Sequence, residues 1–333
     1  SYWLSNSVLQ WSEGSLGAAG FFTLVLLSNV LFFGYLSLNW SGRIFYDAFS
    51  TVQSRGTVFG QWEWLRQWRN RTNAFTYGEG AAEKIFKILP RIPSDVRALI
   101  VKDARMFWRD TTQWGQTLVL FGLLGIYIIN LRHFSEQLTN AFWIHLVSYL
   151  NLGACALNLA TLTTRFVYPQ FSLEGKRAWI VGIAPLGLVN IVRTKFWMAS
   201  LAAFSVTVTL MGVSCYMLRL PWHRTLYLTG AITVMTFTLT GLAIGLGALY
   251  PNFKEDNPSK IVSGFGGTFC LVLSFVYIVG SVTMLAVGSP WGWRGNASPK
   301  LSLMSWGGFA LFSWLIGRVP YRMGLRRIGK VEL

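Results

Sequence analysis

Apolar residues gather in seven stretches of this chain, roughly 16–39, 113–131, 139–163, 195–218, 225–250, 261–288 and 300–317. About twenty residues of helix match the hydrocarbon thickness of a bilayer, so each stretch is predicted to be a membrane-spanning helix. None of the seven contains Asp or Glu. The polar intervals are unequal. Residues 132–138, 219–224 and 289–299 are short connections, whereas 40–112 and 164–194 are long and patterned. The spacing therefore predicts an all-α polytopic membrane protein. A lone first span (in 1–91) is followed by a six-span unit over 92–333.

Two of the polar intervals carry their own helical signals. After Pro93, Ser94 reads as an N-cap. Val96, Leu99, Ile100, Ala104 and Phe107 then recur at helical spacing, with Lys102, Arg105 and Arg109 on the other side. This is an amphipathic helix running directly into the span from Gln113, which places it at the membrane surface. Residues 172–196 begin charged, at Ser172-Leu173-Glu174-Gly175-Lys176-Arg177. They turn apolar from Ala178, break at Pro185, and end basic at Arg193 and Lys195. That length and order suit a short helix on the cytoplasmic membrane surface. A second distinctive turn, from Tyr250 to Asn257, mixes charges at Lys254, Glu255 and Asp256. Gly241 and Gly245 form a small-xxx-small pair within one span, which predicts close helix packing. The connector within 1–91 mixes glycines, Trp62, Trp64, Trp68 and many arginines, and reads as a linker with membrane-surface contact.

Composition agrees with the pattern. The 333 residues are 53% hydrophobic and 16% aromatic but only 13% charged, with net charge +16. Charge also sets the sidedness. If 40–112 is cytoplasmic, that side holds 24 of the 29 Lys and Arg residues, leaving Arg132, Arg219, Arg224, Arg294 and Lys300 opposite. Basic residues concentrate on the cytoplasmic side of membrane proteins. Topology and anionic lipid thus account for the basic excess, and nucleic acid is not needed as a partner.

Candidate chemistry is sparse. Cys155, Cys215 and Cys270 all fall within spans without metal-ligand spacing, and His133, His145 and His223 are scattered; no metal site is expected. No G-x-x-x-x-G-K-[ST] occurs, so ATP binding by a P-loop is not expected in this chain. Carboxylates within spans usually mark ion-coupled transport, and there are none.

Three stretches carry a family resemblance: KDARMFWRDTTQWGQ at 102–116, RFVYPQFSLEGKRAWIVGIAPL at 165–186 and LGALYPNFKEDNPSKIVSGFGG at 246–267. With the order of interfacial helix, two spans, surface helix and four spans, the chain over about 92–333 resembles ABC-2-type transporter permeases, in a bacterial ABC exporter branch. Residues 1–91 resemble the connector and the tail of a related upstream half. The resemblance implies a permease subunit in a bacterial cytoplasmic membrane, coupled to a separate ABC ATPase subunit and paired with a second permease half. ATP and Mg would be bound by the ATPase, with no cofactor and no catalytic residue in this chain. Residues 172–188 would be the coupling helix. Ser172, Leu173, Glu174, Gly175, Lys176 and Arg177 would meet the ATPase, with the charges of Glu174, Lys176 and Arg177 facing it. Trp179 would anchor the segment in the interface. Phe253, Lys254, Glu255 and Asp256 would form a second cytoplasmic contact. Export is favoured because no external loop is large enough to be a docking domain. The competing class is a polytopic membrane enzyme or a scaffold subunit with no transport role.

Overall fold

A computed structural model describes residues 2–12, 14–53, 93–109, 111–135, 141–177, 187–255, 257–291 and 299–329. The connector at 54–92, the apolar run at 178–186 and Asp256 lie outside the described residues. The chain divides into two compact units, Ser1–Ile88 and Leu89–Leu333. The first contains α1 (Tyr2–Ser12) and the 38-residue α2 (Leu16–Gln53). Within its unit α1 packs against the start of α2 and buries Ala19, but Phe21, Leu24, Val30, Leu31 and Phe33 are all exposed, as on a lipid-facing helix.

The second unit is built from α3 (Ser94–Arg109), α4 (Thr111–Ser135), α5 (Ala141–Leu162), α6 (Leu188–Met217), α7 (Trp222–Leu249), the short α8 (Pro258–Ser263), α9 (Phe265–Val287) and α10 (Pro299–Ile328). Among the described residues there is no strand. Among the described residues, five helices are long and apolar enough to cross a membrane: Gly17–Trp40, Phe142–Glu174, Leu188–Met217, Trp222–Leu249 and Phe265–Val287. Two of the predicted spans fall short of that standard. In α4 the apolar run is only Thr117–Ile128. In α10 the helix continues past 317 for about three more turns, which carry Arg318, Arg322, Arg326 and Arg327.

α7 is the central helix, with 78% of its apolar window buried. It is wrapped by α5, α6, α9 and α10. Lipid offers no hydrophobic drive for this packing, so close van der Waals approach must supply it. Gly245 shows how close: a Cβ placed there would lie 2.4 Å from the backbone carbon of Pro320. Gly241, the other half of the predicted small-residue pair, faces Gly317 of α10 across the same crossing.

The structure shifts three sequence expectations. Helix α3 starts at Ser94 rather than after it, and the Arg97 N–H bonds the carbonyl of Pro93, which therefore occupies the cap position. Within α3, Ala104 is exposed, whereas Val101 is buried beside Leu99. The sixth predicted span, 261–288, is split: α8 ends at Ser263, and α9 begins only after Gly264.

Candidate functional site

The chain does not turn the corner after α5 as a simple loop. The α-helix widens to a π-helical turn at Thr163–Val167, then tightens to 3-10 turns at Tyr168–Gln170 and Ser172–Arg177. Such departures from α geometry recur at functional sites in helical proteins. Much of the stretch up to Glu174 is buried, although Arg165 is exposed. Tyr168 is 2% exposed and Ser172 fully buried. The run is pressed against α7, because a Cβ at Gly247 would meet the Tyr168 carbonyl oxygen at 2.3 Å.

Four charged side chains from three elements meet at the end of this stretch. Glu174, on the last 3-10 turn, accepts hydrogen bonds from Lys102 Nζ of α3 at 2.8 Å to both Oε1 and Oε2. Lys195 Nζ of α6 lies 2.7 Å from Glu174 Oε1 and 3.2 Å from Asp103 Oδ2 of α3. Lys102 closes the group at 3.4 Å from Asp103 Oδ1. Exposure is uneven: 4% for the Lys195 side chain, 8% for Glu174 and 9% for Asp103, against 41% for Lys102. Two ammonium groups balance two carboxylates, so the group is neutral. Lys195 Nζ also approaches the carbonyl of Gln170 at 3.4 Å.

Counted from Ala141, a hydrocarbon core of about 30 Å is crossed in about twenty residues. Glu174 therefore lies past the membrane-spanning part of its helix. Burial there pushes its carboxyl up, but Lys195 and Lys102 outweigh burial and hold it below the usual carboxylate range. The carboxylate is thus ionised and tied at two points. Charges this deep survive only when paired, and removing one partner is far costlier than the pair is stabilising.

The second predicted contact adjoins the first. The Asn252 N–H donates to Ser172 Oγ at 3.1 Å, and the rings of Phe171 and Phe253 meet edge to face at 5.7 Å. The hydroxyl of Tyr168 donates to the Tyr250 carbonyl at 3.3 Å. The turn after α7 is shaped by Asn252, whose side chain accepts the Lys254 N–H at 3.1 Å. Beyond it Phe253 and Lys254 are exposed, and Glu255 pairs with Lys260 at 3.7 Å on the surface. The 168–172 and 250–253 segments, about eighty residues apart in sequence, thus form one continuous corner.

The sequence-predicted site residues separate into three groups. Glu174 does not face outward as expected: its carboxylate turns inward to Lys102 and Lys195. Ser172 also points inward, toward Asn252, while Leu173 is partly buried against the core. Gly175, Lys176 and Arg177 occupy the last 3-10 turn. Trp179 lies outside the described residues, as does Asp256. The sequence reading missed Lys102, Asp103 and Lys195 as members of a site. Lys102 was assigned to a polar helix face and Lys195 to the edge of a span. The available signal was a lysine placed among apolar residues inside α6, where only a buried acid could hold it.

The group contains no nucleophile–base pair, and among the described residues no three His, Cys, Asp or Glu side chains could hold a metal. What it does is mechanical: it joins α3, α6 and the 3-10 turn through charge-assisted bonds.

The family model described as "Putative ATP-binding cassette" matches residues 1–333. The chain belongs to that family. No curated protein matches it, and no solved structure does. The family's description refers to ATP binding, yet the sequence has no complete phosphate-binding loop. Its nearest approach is Gly324-Leu325-Arg326-Arg327-Ile328-Gly329-Lys330-Val331, with Val331 where a hydroxyl is needed. Residues 324–328 of that run close the C-terminal end of α10, whereas a phosphate loop precedes a helix. Gly324 instead packs on α7: its Cβ would lie 2.8 Å from the Gly245 carbonyl oxygen.

Proposed function

We propose that this chain is the membrane-spanning permease of an ATP-driven ABC transporter in a bacterial cytoplasmic membrane, working as an exporter. ATP and Mg are bound and hydrolysed by a separate ATPase subunit. In this reading α4, α5, α6, α7, α9 and α10 form the six-span bundle, α2 is an additional span, and a second permease half completes the transport path. The family membership and the five long apolar helices support it.

The observation that carries the proposal is the lattice around Glu174. A turn that receives force from a motor must pass it on without yielding. The 3-10 turn at Ser172–Arg177 is fastened through one carboxylate to α3 at the membrane surface and to α6 within the bundle. Displacing the turn therefore displaces both helices. Lys176 and Arg177, beyond that fastening, are the charges left to meet the ATPase, with Phe253 and Lys254 beside them.

The test is co-purification with, and stimulation of, an ABC ATPase subunit. The purified chain alone should not hydrolyse ATP. Turnover should appear with the ATPase partner and be lost on Lys176→Glu with Arg177→Glu, but not on Lys176→Arg with Arg177→Lys, which keeps the positive-inside signal. ATP turnover by the chain alone would sink this reading. An unchanged complex in the charge-reversed variant would favour a scaffold role instead.

A further inference from the structure

The C-terminal turns of α10 and the first turns of α6 form a cationic ridge that the coupling corner does not use. Arg318, Arg322 and Arg326 follow one another at i, i+4 and i+8 along α10, and all three are exposed. Arg193 of α6 is exposed beside them. The two helices are joined here by the Phe196 and Tyr321 rings at 4.9 Å, and Arg193 and Arg318 both act electrostatically on the Tyr321 phenol. Neither α6 nor α10 contains an acidic residue. None of the four arginines makes an ion pair with a described residue. Arg327 differs from them: it turns the other way and donates to the Leu249 carbonyl.

The apolar residues beside these charges indicate what could neutralise them. Along α10, exposed Leu311, Trp314 and Leu315 lead directly into Arg318 on the same stripe. Along α6, Arg193 is followed at i+4 and i+8 by exposed Trp197 and Leu201. Both helices thus present an exposed apolar stripe that ends in arginine. They run antiparallel, with Phe196 against Tyr321 and Val189 against Gly329, so Arg193 is level with the interval between Arg322 and Arg326 and Arg318 sits about two turns away. Depth agrees: the 30 residues of α10 extend about 45 Å, well beyond about 30 Å of hydrocarbon. Its last turns therefore reach the headgroup layer. A positive-inside signal needs only basic residues somewhere in a loop. It does not require them on two neighbouring helices, each at the end of an apolar stripe.

We propose that Arg193, Arg318 and Arg322, extended by Arg326, hold the phosphate of an anionic phospholipid of the cytoplasmic leaflet, with its acyl chains lying along Trp197, Leu201, Leu311 and Leu315. The guanidinium fork matches a phosphate with two parallel hydrogen bonds, and basic clusters between helices on the cytoplasmic side suit such headgroups. The site does not depend on the transport reading. It depends only on this end of α6 and α10 facing the cytoplasm.

The experiment uses the full chain, purified and delipidated in detergent, with thermal unfolding followed by tryptophan fluorescence. Mixed micelles carrying phosphatidylglycerol should raise the melting temperature at lower lipid fractions than phosphatidylcholine does, and less so as salt increases. Inorganic phosphate at equal concentration should do nothing. Each arginine near an anionic surface contributes about fivefold in affinity. Arg193→Gln with Arg318→Gln should therefore weaken the phosphatidylglycerol effect by at least about tenfold. Arg193→Lys with Arg318→Lys, which keeps charge and loses the fork, should fall between. Arg219→Gln with Lys300→Gln, removing two charges from the opposite side, should leave it unchanged. Equal responses to the two lipids would overturn the proposal. So would reproduction of the effect by inorganic phosphate, or an unaltered response in the Arg193→Gln, Arg318→Gln variant.

Discussion

Replacing Lys195 with methionine tests the charge lattice most directly. Methionine keeps the length and the apolar stem of lysine but removes the ammonium that lies between Glu174 and Asp103 at 2.7 and 3.2 Å. Both carboxylates are more than nine-tenths buried. After the substitution they share only Lys102, which is 41% exposed and partly screened by solvent. Removing one member of a buried ion pair costs about 3–5 kcal/mol, because the partner charge is left without compensation. Lys102→Met should cost only about 1 kcal/mol or less, since that lysine sits where exposed pairs contribute little and Lys195 stays behind it. The double variant Lys195→Met with Glu174→Gln removes one charge of each sign and leaves the Lys102–Asp103 contact. It should be milder than Lys195→Met alone, with a coupling of about 1–3 kcal/mol. The readout is thermal unfolding in detergent. At about 2 °C per kcal/mol, Lys195→Met should lower the midpoint by about 6–10 °C and Lys102→Met by about 2 °C. If Lys102→Met is as damaging as Lys195→Met, or if the two substitutions in the double variant simply add, the lattice is not the neutral, inward-facing device its geometry describes.

Two further predictions address packing and sidedness. Gly245→Ala should destabilise strongly, by about 3 kcal/mol or more, because its Cβ meets backbone of α10 at 2.4 Å. Gly230→Ala, whose nearest neighbour is a Trp306 side-chain atom at 3.8 Å, should be tolerated in the same melting assay. Gly247→Ala, whose Cβ would meet the Tyr168 carbonyl oxygen at 2.3 Å, should lower the midpoint comparably to Gly245→Ala. For topology, the buried native cysteines Cys155, Cys215 and Cys270 leave a quiet background for labelling. An impermeant thiol reagent added outside should modify Trp222→Cys but not Ser259→Cys, and the reverse pattern would invert the assigned orientation.

Much of this protein is legible in the order of its residues. The apolar stretches are long enough to span, they lack acids, and the basic residues crowd the intervals on one side. These are local properties set by the bilayer as solvent, so no tertiary contact is needed to read them. Helix forms in each of the seven stretches, though 261–288 is broken at Gly264, and Gly241 and Gly245 lie at a close crossing as small residues in lipid should. The candidate site was legible only as a place. The segment 172–177 was marked by its charges, but whether those charges face a partner or each other is not a local property. Glu174 meets Lys102 across 72 positions of sequence and Lys195 across 21, and no periodicity encodes a contact between elements whose approach is set by packing on α7. The same holds for the change from α to π to 3-10 geometry. Tyr168 is fitted against Gly247, a constraint that exists only once α5 and α7 are side by side. The sequence by itself therefore determined which segments are long and apolar enough for a membrane, and it carries the charge asymmetry from which the expected orientation is read. Tertiary structure alone decided that Glu174 is an inward anchor and that the segments 168–172 and 250–253 make one corner, because burial and charge pairing are settled only when distant elements exclude water together.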